Sequence, residues 1–169
     1  MSVPGRSICI FGCGNTLMGD DGVGVKVIEK LRTLDKQCLE NVEIMDVGIC
    51  NLNVLNKMNN KSKIIIIDSV VTGLKKGSII RIDGNDLLTR NHEQTPILSL
   101  HEMSISDILL IAQYIQKLPE IIILGIEIGE NDSKFSAKLS PEVLEAIDKI
   151  VPHIIREINT ENAEQIKYP

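Results

Sequence analysis

Apolar runs that alternate with helical patterns constrain the fold of this chain more than any other feature of its sequence. Strand patterns cover residues 7–13, 42–48, 63–70, 78–83 and 121–128. The first, third and fifth are nearly continuous apolar runs, as in strands that are covered on both faces. Amphipathic helical patterns cover residues 22–34, 51–59, 104–118 and 140–158. This alternation predicts an α/β domain with a mostly parallel sheet.

One connection departs from the alternating pattern. Only residues 69–77 separate the third strand from the fourth, and they are too few to hold a crossover helix. Because parallel neighbours need a dozen or more connecting residues, we expect the fourth strand to run antiparallel to the third. Residues 84–100 form a long irregular stretch, in which residues 85–89 fit a short helix. Loops of that length in a compact domain are often functional.

The size and charge of the chain limit its organisation and its partners. It has 169 residues, and no repeat or linker divides it, so we expect a single domain over residues 1–169. The net charge of -5 and the lack of a basic stripe argue against a nucleic-acid partner. No apolar run approaches the roughly 20 residues that cross a membrane, and the first residues lack a signal-peptide pattern. A cytoplasmic protein without membrane insertion is the expectation.

A glycine-rich loop, 12-GCGNTLMGDDGVG-24, joins the first strand to the first helix. Such loops commonly cradle a phosphate, but here acidic residues replace the Lys and Ser/Thr of a phosphate-binding Walker A loop. The reversed charge favours a cation. Asp20 is expected to cap the following helix, whereas Asp21 exceeds what one cap needs and is a candidate ligand. We expect Gly14 to supply backbone geometry, and Asn15 to orient the loop or contact substrate.

Two further residues complete a candidate metal site at the carboxyl ends of the strands, where α/β proteins bind ligands. Asp68 ends the third strand after four isoleucines, and a buried carboxylate needs a hydrogen bond, a cation or a proton. His101 precedes a helix, whose N-terminus favours the neutral imidazole that can bind metal. Two carboxylates and one imidazole suit a divalent transition metal better than calcium. Their spacing alone does not identify the metal.

The chain resembles the hydrogenase maturation endopeptidases. The resemblance rests on five segments in the expected order: 10-IFGCGNTLMGDDGVG-24, 64-IIIIDSV-70, 99-SLHEMS-104, 124-LGIE-127 and 139-LSPEV-143. It implies a three-layer α/β/α sandwich with a mostly parallel, five-stranded twisted sheet and one antiparallel strand. It also implies a monomeric, aspartic-type endopeptidase that removes the C-terminal extension of a nickel–iron hydrogenase large-subunit precursor after nickel insertion.

The resemblance also assigns roles to particular residues. Asp21, Asp68 and His101 fall on the metal-ligand positions of the family and are the implied catalytic residues. The nickel that they read belongs to the substrate, and no organic cofactor is implied. The segment 46-DVGIC-50 departs from the family pattern, because Ile49 stands where a threonine is frequent. Substrate choice can therefore differ at this loop.

A receiver domain of a response regulator is the alternative interpretation. It also has an acidic pair after its first strand and an aspartate at the end of its third, and it would bind magnesium and be phosphorylated on Asp68. Such domains need a lysine at the end of the last catalytic strand, where this chain has Glu127. The glycine-rich loop and residues 84–100 also remain unexplained by this alternative.

Overall fold

The computed structural model describes residues 7–89, 104–130 and 135–163, apart from the side chains of 161–163. The strands of the described part are β1 (Ile8–Cys13), β2 (Val42–Gly48), β3 (Lys63–Val70), β4 (Ile79–Asp83) and β5 (Glu120–Glu127). Its α-helices are α1 (Val23–Leu31), α2 (Val54–Met58), α3 (Gly84–Thr89), α4 (Ile105–Ile115) and α5 (Pro141–Ala163). Short 3-10 helices occupy Gly19–Gly22 and Lys36–Leu39. The predicted alternation of strands and helices is confirmed.

The five strands form one sheet in the order β2-β1-β3-β5-β4. β1 pairs in parallel with β2 and β3, and β3 pairs in parallel with β5. β4 runs antiparallel to β5, which confirms the direction predicted from the short connection after β3. It does not pair with β3, however, because β5 lies between the two strands. The short connection therefore crosses over the carboxyl end of β5.

Helices cover both faces of the sheet, so the expected three-layer α/β/α architecture is confirmed. On one face, α1 and α5 pack their apolar side chains against the odd-numbered isoleucines of β3, Ile65 and Ile67. On the other face, α2, α3 and α4 pack against the even-numbered Ile64 and Ile66. β3 is buried along its whole length, whereas the edge strands β2 and β4 are only half-buried. This burial explains why the central strands are continuous apolar runs.

Two helices, α4 and α5, show local features that bear on where helices begin and end. α5 continues through Pro152 to Ala163, although a proline inside a helix removes one backbone hydrogen bond. α4 begins after Ser104, whose hydroxyl accepts a hydrogen bond from the Asp107 N–H while the Asp107 carboxylate accepts one from the Ser104 N–H. This reciprocal cap fixes the start of α4 beside the carboxyl end of the sheet. No helix in the described ranges is both long and apolar enough to cross a membrane.

Candidate functional site

The loop between β1 and α1 places Asp21 at the carboxyl end of the sheet. Asp21 lies in the 3-10 helix Gly19–Gly22 and is 1% exposed. Its Oδ2 accepts a hydrogen bond from the Asn15 N–H at 3.0 Å, and its Oδ1 accepts one from the Ser69 hydroxyl at 2.8 Å. The Asn15 side chain in turn accepts a hydrogen bond from the Leu17 N–H at 3.0 Å. These two hydrogen bonds tie Asn15 to the loop that carries Asp21, and a contact of Asn15 with substrate stays a prediction.

The backbone of this loop requires glycine at position 14, for two reasons. Its φ of +138° belongs to a region that L-residues with a side chain rarely adopt. A Cβ atom at this position would lie 2.0 Å from the carbonyl oxygen of Asp21. The Gly14 N–H also donates to the Gly48 carbonyl at 2.8 Å, which ties the loop to the end of β2. The close approach of Gly14 thus helps to set the position of Asp21.

Asp68 lies near the end of β3 and is 2% exposed. Among the described residues, its carboxylate accepts one hydrogen bond, from the Ser69 N–H at 2.8 Å. Burial, together with the nearby negative charge of Asp21, raises the pKa of Asp68 to about 8, while the Ser69 hydrogen bond acts in the opposite direction. The Asp68 carboxyl therefore retains its proton at neutral pH unless a cation binds beside it.

Ser69 links the two carboxylates, since its hydroxyl donates to Asp21 and its N–H donates to Asp68. Successive residues of a strand point to opposite faces of the sheet. Ser69 therefore points to the α1 side, whereas Asp68 lines a small cavity with Leu87 of α3 and Ile105 of α4. The two carboxylates reach the same end of the sheet from opposite faces. Ser69 is not among the predicted site residues, although its place directly after Asp68 was an available signal.

The third predicted ligand, His101, lies outside the described residues. In the part of the chain that the structure describes, no three His, Cys, Asp or Glu side chains are grouped to hold a metal ion. The structure does bring Asp21 and Asp68 together through Ser69. Two carboxylates that converge at the end of a buried strand can bind a cation and fix a group that the cation carries.

Asp20 has a different role from its neighbour. Its carboxylate accepts hydrogen bonds from the Ser140 N–H at 2.6 Å, from the Ser140 hydroxyl at 2.8 Å and from the Lys76 ammonium group at 2.8 Å. The N-cap of α1 is Gly22, without a side-chain cap. The prediction that Asp20 caps the following helix is therefore wrong. Asp20 instead anchors the loop to the start of α5, a partner 120 residues away in the sequence.

Two other carboxylates at this end of the sheet stabilise turns. Both oxygens of Glu127, which is fully buried, accept hydrogen bonds: one from Gly129, the other from the N–H and hydroxyl of Thr72. Asp46 accepts a hydrogen bond from the Gly48 N–H at 2.9 Å. These local partners distinguish Glu127 and Asp46 from the pair that Ser69 links.

Comparison with known proteins identifies the family. The family described as HycI, hydrogenase maturation protease, matches residues 25–157. A Methanocaldococcus jannaschii protein, provisionally named a hydrogenase maturation protease, is 30% identical over 161 residues, which are 90% of this chain and 97% of the relative. The chain belongs to the hydrogenase maturation protease family. The predicted family is thereby confirmed, and this hydrogenase maturation protease is a peptidase.

Two further relatives of this hydrogenase maturation protease agree with the assignment. The hydrogenase 2 maturation protease of Escherichia coli is 26% identical over 164 residues, and the similarity covers 94% of each chain. The solved structure of the nickel–iron hydrogenase maturation protease HybD from Thermococcus kodakarensis superposes with a TM-score of 0.69 at 27% identity, covering 88% of this chain and 97% of that one. The receiver alternative finds no support, since none of these relatives is a receiver domain and β4 is antiparallel.

Proposed function

We propose that this protease removes the C-terminal extension of a nickel–iron hydrogenase large-subunit precursor after nickel insertion. In this proposal, Asp21, Asp68 and His101 bind the nickel that the precursor carries, so that cleavage depends on its presence. The observation that carries the proposal is the buried pair formed by Asp21 and Asp68, which Ser69 links at the carboxyl end of the sheet. The names of the relatives, which refer to hydrogenase maturation, support the same substrate class.

The charge and burial of the pair suit a ligand that arrives with its own positive charge. Asp68 is buried, and its raised pKa means that the empty site favours the neutral carboxyl group. A divalent cation reverses that preference, because its charge stabilises both carboxylates and releases the proton. A precursor without nickel offers no such compensation. Discrimination between the two precursors therefore follows from the electrostatics of Asp21 and Asp68.

Hydrolysis then proceeds beside the bound ion. Nickel held by the precursor and by the protease polarises the carbonyl of the scissile peptide or activates a water molecule. The oxygen of water attacks the carbonyl carbon, the C–N bond breaks, and the departing nitrogen takes up a proton. Asp21 and Asp68 hold the ion, and through it they fix the peptide bond in position.

The test compares nickel-loaded and nickel-free large-subunit precursor in a cleavage assay that is read by intact mass. We expect a C-terminal peptide to be lost only from the nickel-loaded form. Asp21→Asn and His101→Gln should each abolish that loss. Asp46→Asn is the matched control, because Asp46 is an exposed carboxylate at the same end of the sheet with a local turn partner.

The possible outcomes separate the parts of the proposal. Equal cleavage of both precursors would show that the protein cleaves its substrate whether or not nickel is present. It would reject the proposed role of Asp21 and His101 in nickel recognition. Cleavage by Asp21→Asn at the rate of the Asp46→Asn control would remove Asp21 from the site. A folded protein that cleaves neither precursor would contradict the proposed substrate.

A further inference from the structure

Two large apolar side chains lie exposed on the loops that surround the site. Leu17 is 52% exposed and Phe135 is 78% exposed. The chain contains two phenylalanines, and the other one, Phe11, is fully buried in β1. A chain with so few aromatic residues thus places half of its phenylalanines in solvent. A contiguous exposed apolar patch, unlike a single exposed side chain, commonly marks a surface that contacts another molecule.

The backbone places these two residues side by side. Met18 and Ser136 form a parallel bridge, in which the Ser136 N–H donates to the Leu17 carbonyl at 2.9 Å and the Gly19 N–H donates to the Ser136 carbonyl at 2.5 Å. Because the Ser136 nitrogen is bonded directly to Phe135 in the chain, its hydrogen bond to the Leu17 carbonyl holds the backbones of Leu17 and Phe135 close together. Leu17 and Phe135 therefore form one apolar surface, which we name the Leu17–Phe135 patch.

The patch is joined directly to the loop that holds Asp21. The Leu17 N–H donates to the Asn15 side chain, and the Asn15 N–H donates to the Asp21 carboxylate, each at 3.0 Å. Leu17 is two residues from Asn15 in a turn that the Met18 N–H closes by donating to the Asn15 carbonyl at 3.0 Å, so the two Cα atoms lie within about 7 Å. In an extended substrate polypeptide whose scissile bond lies beside Asp21, the residue two or three positions from that bond lies roughly 7 to 10 Å from it. A substrate side chain can therefore reach the Leu17–Phe135 patch.

We propose that Leu17 and Phe135 bind an apolar side chain of the substrate polypeptide, two or three residues from the bond that is cut. This inference rests on the proposed function, because it places the scissile bond beside Asp21. The patch offers apolar area and no charge, so it favours an apolar substrate residue over a charged one. Leu17 and Phe135 would therefore determine which sequence next to the cleavage point is accepted.

The experiment measures kcat and KM for nickel-loaded precursor with Leu17→Ser and Phe135→Ser. The matched controls are Ile115→Ser and Tyr114→Ser, at the end of α4, where the side chains are 65% and 87% exposed. They lie at the opposite end of the sheet from Asp21, because α4 leads into the start of β5. We expect the patch variants to raise KM roughly tenfold with little change in kcat, and the controls to leave both unchanged.

A second series changes the substrate. Apolar residues two and three positions on either side of the cleaved bond are replaced one at a time by serine. If the patch binds one of them, the enzyme and substrate changes will not add, because either one removes the same contact. Leu17→Met, which keeps the apolar area, should restore the KM of the unchanged enzyme.

Several results would overturn the inference. Patch variants that match the controls in kcat/KM would exclude Leu17 and Phe135 from substrate binding. Fully additive effects of enzyme and substrate changes would do the same. A dimer that Leu17→Ser converts to a monomer would assign the patch to self-association instead. Failure of the unchanged enzyme to cut nickel-loaded precursor would reject the proposed function itself, an outcome distinct from failure of the patch variants alone.

Discussion

The two ends of β3 carry buried ionisable residues that the protein treats in opposite ways. Lys63 begins the strand and is 1% exposed, whereas Asp68 lies near its end and is 2% exposed. The Lys63 ammonium group donates to the Glu157 carbonyl at 2.9 Å and lies 3.1 Å from the Glu120 carboxylate. No lysine or arginine among the described residues pairs with Asp68 in this way. Within the described residues, charged partners therefore compensate one end of β3 and not the other.

The pKa values of the carboxyl groups at the two ends of β3 reflect the same difference in charged partners. Burial alone would raise the pKa of Glu157, but the hydrogen bonds and charge of Arg81, at 2.6 and 3.2 Å, together with the charge of Lys63, lower it. Burial raises the pKa of Asp68 to about 8 without such compensation. Buried charges that serve the structure are thus paired within the chain, whereas the uncompensated carboxyl group is suited to a cation from outside.

The largest expected effect comes from Asp68→Asn. The substitution preserves shape and removes one anionic ligand, so we expect processing of nickel-loaded precursor to fall at least about 100-fold, on the scale of the charge stabilisation that a metal ion supplies. The measurement is kcat/KM by intact mass, with Asp46→Asn as the control. Retention of activity within about threefold of that control would break the distinction between the two ends of β3.

A pH series sharpens the same comparison. The folded Asp68 carboxyl keeps its proton up to about pH 8, whereas the ordinary value is 3.8, so the folded state binds more protons between these limits. The contribution of Asp68 to the free energy of unfolding is therefore fully present below about pH 4 and is lost as the pH rises through 8. We expect Asp68→Asn to gain on the order of 3 kcal/mol relative to wild type between pH 5 and pH 8.

Urea unfolding of both metal-free proteins at the two pH values measures this gain. If the difference in the free energy of unfolding between wild type and Asp68→Asn is the same at pH 5 and pH 8, the pKa of Asp68 is not raised in the folded protein.

At the other end of β3, Glu157→Gln should damage stability and spare function. It removes the charge that compensates Lys63 and Arg81, so we expect a loss of about 2–3 kcal/mol in the free energy of unfolding at pH 7. The kcat/KM of the folded variant should remain within about twofold of wild type. Urea unfolding and the cleavage assay measure the two quantities. A stable variant with impaired cleavage would reverse the roles that we assign to the two regions.

A smaller effect is expected for Asp20→Ala, which releases the loop from α5. The change leaves the Ser140 N–H and hydroxyl without their acceptor, and we expect a loss of about 2 kcal/mol in the free energy of unfolding. Asp20→Asn should lose less, because its amide oxygen can still accept from the Ser140 N–H and its amide nitrogen can donate to the Ser140 hydroxyl. Thermal unfolding of the two variants tests the order. Equal losses would indicate that the ion pair with Lys76 dominates the anchor.

The smallest effect is expected at a surface ion pair. Lys149 and Glu145 lie 3.1 Å apart, one turn apart on α5, and both are well exposed. Lys149→Ala should change the free energy of unfolding by no more than about 0.5 kcal/mol. The same urea titration measures it. A loss as large as that of Glu157→Gln would mean that burial does not distinguish these ion pairs.

The sequence by itself determined the elements of the fold and the direction of their connections. Continuous isoleucine runs identified β3 and β5 as buried strands, since only strands covered on both faces remain apolar at every position. The short connection after β3 determined that β4 runs antiparallel. The order of strand and acidic residue also placed Asp21 and Asp68 at one end of the sheet, because the carboxyl ends of parallel strands lie together.

Only the tertiary structure decided which side chains act as partners. Ser69 reaches Asp21 across 48 residues, Asp20 reaches Ser140 across 120, and Lys63 reaches Glu157 across 94. Periodicity reports the face on which a residue lies, but it carries no information about the distant segment that packs there. The position of Asp20 before a helical pattern therefore predicted a local partner in the helix that follows it. The folded chain gives it a partner in α5, and so separates the anchoring carboxylate from the adjacent one that faces the site.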